Sequence, residues 1–141
     1  MKLNTGHTLY KQVDVACSGP QLVLLLCDGV IRYAREAAEH LRAGRWAEKG
    51  QAVEAAYECL SELRKGLDFE HGGDTAFQLD RMYDFLSTKL TYANATRDPQ
   101  QFEQIVEAVK PIRAAWEDLF SRLKAEGRLT ETTANQAAMV S

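Results

Sequence analysis

The chain has 141 residues, 17 of them basic and 20 acidic, for a formal charge of -3. That is one domain's length, long enough to bury roughly two thirds of the surface its unfolded form exposes, so neither a metal nor a disulfide is required to hold it together. The charges are spread without a basic block, which argues against a nucleic-acid binder.

In chain order, ACSGP offers Ser18 as an N-cap and Pro20 in a first turn, where a missing N–H costs nothing. A helix is predicted from about residue 19. At about 100° per residue, Val23, Leu26, Val30, Tyr33, Ala37 and Leu41 form one stripe, with Arg35, Glu36, Glu39 and Arg42 opposite, and Gly44 stops it. Asp28-Gly29 is a strong hairpin signal in isolation. The helical period nevertheless passes through Gly29 without losing phase, so the pair is placed inside the helix. A second helix is expected from Trp46 to Gly66, with Trp46, Val53, Tyr57, Leu60, Leu63 and Leu67 on one side. The Gly72-Gly73 pair closes that region. A third opens near Asp74 on the stripe Leu79, Tyr83, Leu86, Leu90 and Ala93. Asp98 caps a fourth, with Pro99 as its first residue and Gln101 at the capping-box position. The stripe Phe102, Ile105, Val109, Ile112, Trp116, Leu119 and Leu123 carries it to Gly127, with a kink expected at Pro111.

Four such helices on short connections hide their stripes in a common core, so the expected fold is an all-α antiparallel four-helix bundle over 18–127. Residues 1–17 read as a short N-terminal arm or cap, and 128–141 (RLTETTANQAAMVS) as a flexible polar C-terminal tail.

Some apolar residues are left over once those stripes are assigned. Leu24 and Leu25 lie about 100° and 200° round from Val23, and Phe85 and Tyr92 fall about 120–140° off the Leu79 stripe. Either the bundle is thick, or the arm covers them, or they form a groove for an apolar partner segment. Gly29 has two readings as well: it admits a partner's backbone, or it marks a tight helix crossing.

Catalytic signals are missing. His7, His40 and His71 belong to no HExxH, CxxCH or ExxH pattern, and there is no phosphate loop or GxSxG. No enzyme, metal or cofactor is therefore expected. One remote alternative is a histidine phosphotransfer bundle, with His40 in EHLRAGR as the acceptor. The cysteines, Cys17, Cys27 and Cys59, are odd in number without CxxC and read as reduced thiols of a cytosolic protein, the latter two packing as small apolar groups. The opening MKLNTGHTLYKQ lacks a signal peptide's apolar stretch, and no run approaches a membrane span, so a cytoplasmic place of work is expected.

Four stretches in order then resemble the flagellin-specific export chaperones, the FliS family. Tyr10, Val15 and Pro20 leading into LVLLLCDGVI are similar to the family's opening. LDFEHGGDTAFQLDRMYDFL (67–86), ANATRDP (93–99) and IRAAWEDLF (112–120) resemble its later signatures. The resemblance implies a cytosolic helical bundle that binds the disordered C-terminal segment of flagellin, blocks premature polymerisation, keeps the subunit competent for type III export, and deals with the flagellar export apparatus. It further implies that the arm around Tyr10 and Val15 covers part of a groove, that Leu22, Leu25, Gly29 and Arg32 line one wall, and that Tyr83, Phe85, Tyr92 and Asn94 belong to another. A related bundle chaperone or adaptor for a different secreted client is the alternative. The chain departs from the family pattern at Cys27, where an aromatic is usual before Asp-Gly, in the shorter Pro20-to-Leu22 spacing, and at Pro111.

Overall fold

The computed structural model describes residues 19–127; the expected Ser18 cap, arm and tail lie outside them. Four helices run in order: α1 (Gly19–Arg42), α2 (Trp46–Lys65), α3 (Phe69–Ala95) and α4 (Gln100–Ala125). Three connections of three or four residues reverse the chain each time, and α1 packs most extensively, on both α2 and α4, while α3 closes the ring. The bundle is antiparallel, as short loops between amphipathic helices require.

Local chemistry sets the helix ends. Gly44 has φ 74°, a left-handed conformation that glycine adopts without steric cost, and it separates α1 from α2. At the start of α4, Asp98 Oδ1 accepts from the Gln100 N–H at 3.0 Å, and Pro99 is already helical. Gln101 Nε2 reaches the Asp98 carboxylate at 3.5 Å, so it turns to the cap's side chain. α4 then continues through Pro111 to Ala125.

α3 begins earlier than its sequence pattern indicates. Asp68 caps it by accepting from the Glu70 and His71 N–H groups, which gives Phe69–Gly72 a helical turn of its own. Gly73, at φ 54° and ψ -134°, joins this turn to the main helix from Asp74 onward. The glycine pair is a joint inside the element, and the position closing the turn is one that residues with a Cβ rarely adopt. The first-turn His71 also bonds Asp68 and holds its carboxyl below the ordinary value.

The core joins Leu26, Val30 and Leu41 of α1, Val53, Leu60 and Leu63 of α2, Leu86 and Leu90 of α3, and Phe102, Ile105 and Val109 of α4. Many of the buried residues of α1 and α2 are small: Ala34, Ala37, Ala38, Ala52 and Ala56. A Cβ built on Gly29 would stand 2.7 Å from Cys59 Sγ, so the glycine lets Cys59 of α2 pack directly against the backbone of α1. Trp46, on the expected stripe of α2, is instead half exposed. It is the first residue of its helix, at an end of the bundle, with Arg97 5.2 Å and Lys49 5.9 Å from its ring centre. Val23, Tyr33, Tyr57, Leu67, Leu79 and Trp116 pack against the core without being enclosed by it.

Candidate partner-binding surface

Two grooves open on opposite edges of the bundle. The first lies between α1 and α2, has a volume of about 350 Å³, and is lined by Leu25, Gly29, Arg32, Tyr33, Glu58 and Cys59 among others. Leu25 is 50% exposed because it sits off the core stripe of α1. Gly29 lies in its lining beside Cys59, whose sulfur fills the space a side chain at position 29 would need. Arg32 lies over the Tyr33 ring at 4.4 Å, donates to its hydroxyl at 2.5 Å, and approaches Glu36 at 3.6 Å. Its guanidinium is thereby held against the wall with more than half its side chain in solvent. Asp28 forms the outer rim and accepts from Arg113 Nε of α4 at 2.6 Å.

The second groove lies between α3 and α4, measures about 370 Å³, and is almost wholly apolar; Leu79, Met82, Pro111, Ile112, Trp116 and Leu119 are among its walls. Its one indole N–H is spoken for, since Trp116 Nε1 donates to the buried Tyr83 hydroxyl at 3.0 Å. Phe120 stacks on the other side of Trp116 at 5.4 Å. Beyond this groove, α3 presents an aromatic outer face. Of the seven large apolar residues that are exposed among the described residues, Phe69, Phe77, Met82, Phe85 and Tyr92 all belong to α3. Phe69 and Phe77 touch across the Gly73 joint, with ring centres 4.8 Å apart.

The predicted site residues thus separate into groups. Leu25, Gly29 and Arg32 come together in the α1/α2 groove. Leu22 and Tyr83 are buried in the core, at 3% and 1% exposure. Phe85 and Tyr92 stand out from α3, and Asn94 is exposed near its end, where its backbone carbonyl accepts from Lys49 Nζ at 2.9 Å. Tyr10 and Val15 lie outside the described residues. The α3/α4 groove was missed by sequence reasoning. Its signal was available: Trp116 and Leu119 extend the α4 stripe beyond the last fully buried residue, Ile112.

The two buried thiols near these grooves are unreactive. Burial pushes the Cys27 thiol up to about 12, with the Asp28 charge adding to it, and burial likewise raises Cys59 to about 11, so both stay protonated at neutral pH and are poor nucleophiles. His40 is half buried, and its Nδ1 accepts from Arg45 Nε at 2.9 Å. Among the described residues there is no group of three or more His, Cys, Asp or Glu side chains placed to hold a metal, and no helix is long and apolar enough to cross a membrane.

Residues 3–122 match the family model described as Flagellar protein FliS. The chain belongs to the FliS family. It is 32% identical over 115 residues to the Flagellar secretion chaperone FliS of Vibrio cholerae, which covers 78% of this chain and 85% of that protein. It is 31% identical over 121 residues to the Flagellar secretion chaperone FliS of Salmonella typhimurium, covering 82% and 90%. With the Flagellar secretion chaperone FliSB of Pseudomonas aeruginosa it shares 26% identity over 78% of this chain and 91% of that protein. The protein is therefore a flagellar secretion chaperone of the FliS family, a non-enzymatic class.

Proposed function

We propose that this FliS-family protein binds the disordered C-terminal segment of flagellin in the cytosol, prevents its premature polymerisation and hands it to flagellar export. The observation that carries the reading is the pair of apolar grooves, with exposed Leu25 beside one and the aromatic face of α3 beside the other. A partner segment with apolar residues at helical spacing fits such grooves, and it gains order only on binding. Each leucine-sized side chain that it buries contributes about 1.5–3 kcal/mol, from which the cost of ordering the segment is subtracted. Arg32 at the rim of the first groove is placed to meet a carboxylate or backbone carbonyl of the client.

The test is a calorimetric titration of the full chain with a peptide from the C-terminal end of the flagellin encoded in the same genome, and with that flagellin lacking this end. Saturable binding of the peptide and none of the truncated protein is the expected result. Equal indifference to both would refute the reading and leave a chaperone for another secreted client.

A further inference from the structure

Pro111 is used neither by the core nor by any helix end. It lies more than three turns inside α4, is exposed, and forms part of the wall of the α3/α4 groove. In an α-helix the carbonyl of residue i points at the amide nitrogen of residue i+4. Proline has no N–H, so the carbonyl of Glu107 receives no amide from position 111, and the ring pushes it outward. Helical geometry sets that carbonyl beside the Pro111 ring, on the side shared with Ala108, which also lines the groove.

We propose that Pro111 is a specificity element: it leaves the Glu107 backbone carbonyl open at the lip of the α3/α4 groove, where that carbonyl accepts a hydrogen bond from a donor on the client segment. The proposal rests on the flagellin reading above and adds to it which chemistry the second groove selects. With the Trp116 N–H already bonded to Tyr83, the α4 wall of the groove offers a partner this acceptor and no side-chain donor, while the polar side chains of the lining, Thr75 and Gln78, belong to α3. A client carrying a Ser, Thr, Asn or Gln side chain, or a free N–H of a helix's first turn, satisfies the carbonyl. An all-apolar segment of the same shape covers it without replacing its water, and a buried acceptor left unpaired is unfavourable. Discrimination then comes from the backbone of α4, which a side-chain pattern does not reveal.

The test compares two proteins that differ only in an N–H: Pro111→Ala, and the same position carrying lactic acid, the ester counterpart of alanine. Both lose the proline ring, but only alanine supplies an amide to Glu107. Each full chain is titrated with the flagellin C-terminal peptide. The alanine protein is expected to bind roughly three- to tenfold more weakly than the lactic acid protein, the scale of one neutral hydrogen bond. It should also melt higher than the unaltered protein, so that affinity and stability move in opposite directions, which a merely structural role for Pro111 does not produce. Equal affinities of the alanine and lactic acid proteins would overturn the proposal while leaving the flagellin reading intact. If the unaltered protein does not bind the peptide, the flagellin reading fails, and the proposal with it.

Discussion

Gly29→Ala tests the α1/α2 crossing through the sign of its effect. In an ordinary helix interior the substitution stabilises by about 0.5–1 kcal/mol, because alanine loses less backbone freedom on folding. Here the new methyl would stand 2.7 Å from Cys59 Sγ, while Cys59 Cβ and Tyr33 Cε2 are each at 3.9 Å, an ordinary contact. A single atom is therefore in the way, and it belongs to a buried side chain that has to rotate or push α2 aside. Overpacking of this kind costs about 1–3 kcal/mol, which leaves a net destabilisation between about zero and 2.5 kcal/mol. Cys59→Ala removes the obstructing sulfur and keeps the Cβ. In that background Gly29→Ala is expected to stabilise by about 0.5–1 kcal/mol, the open-helix value. Urea denaturation of the four proteins of this double-mutant cycle reads the coupling directly, expected at about 1–3 kcal/mol. Coupling near zero, or destabilisation by Gly29→Ala of the same size in both backgrounds, would show that the helices do not meet at this atom.

Other measurements address the surface and the rim. Leu25→Asp is expected to weaken binding of the flagellin peptide at least tenfold, or about 1.4 kcal/mol, with the melting temperature almost unchanged because Leu25 is half exposed; a marked fall in melting temperature would place the residue in the core. The hydrogen bond from Arg64 holds the Asp80 carboxyl below its ordinary value of 3.8, so its stabilisation is complete above that pH and is lost as pH falls through the lower folded value. The melting-temperature difference between the unaltered protein and Asp80→Asn should accordingly be constant above about pH 5 and shrink below about pH 4; a difference that persists unchanged to about pH 2 would show that the pair contributes nothing pH-dependent.

Periodicity made the azimuth of each residue legible, but not its depth. Leu25 could be placed outside the core of α1 because 100° per residue is a property of the helix alone, and the structure leaves it half exposed. Trp46 and Trp116 lie on the correct faces of α2 and α4, yet one stands at an end of the bundle and the other beside a groove, because burial depends on whether a neighbouring helix reaches that height. Helix ends set by nearby groups, such as Gly44 and Asp98-Pro99, were readable in the sequence. The start of α3 was not, since a Gly-Gly pair ends a helix or joins two according to the φ that the tertiary structure imposes on Gly73. Gly29 turned out to serve the helix packing and the groove lining together, which a single sequence position cannot announce. Long-range polar contacts such as Asp28 with Arg113, 85 residues apart, leave no periodic trace at all.

These polar contacts also explain how the bundle keeps an aromatic helix face in water. α3 packs less extensively than α1, and a helix that buried only its narrow stripe would be the easiest to detach. What ties it down lies along its edges. Arg64 of α2 forks onto Asp80 at 2.8 and 3.3 Å and reaches Asp84 at 3.2 Å, Tyr57 bonds Thr91, and Lys49 bonds the Asn94 carbonyl. On the other edge Lys89 donates to Gln104 at 2.8 Å and Trp116 donates to Tyr83. Each exposed tie is worth little alone, but a fork and a row of bonds on both edges fix the orientation of α3 without using Phe77, Phe85 or Tyr92. Those rings stay exposed on the outer face of α3, so the polar edges hold the helix in place without burying the face that the proposed client would cover.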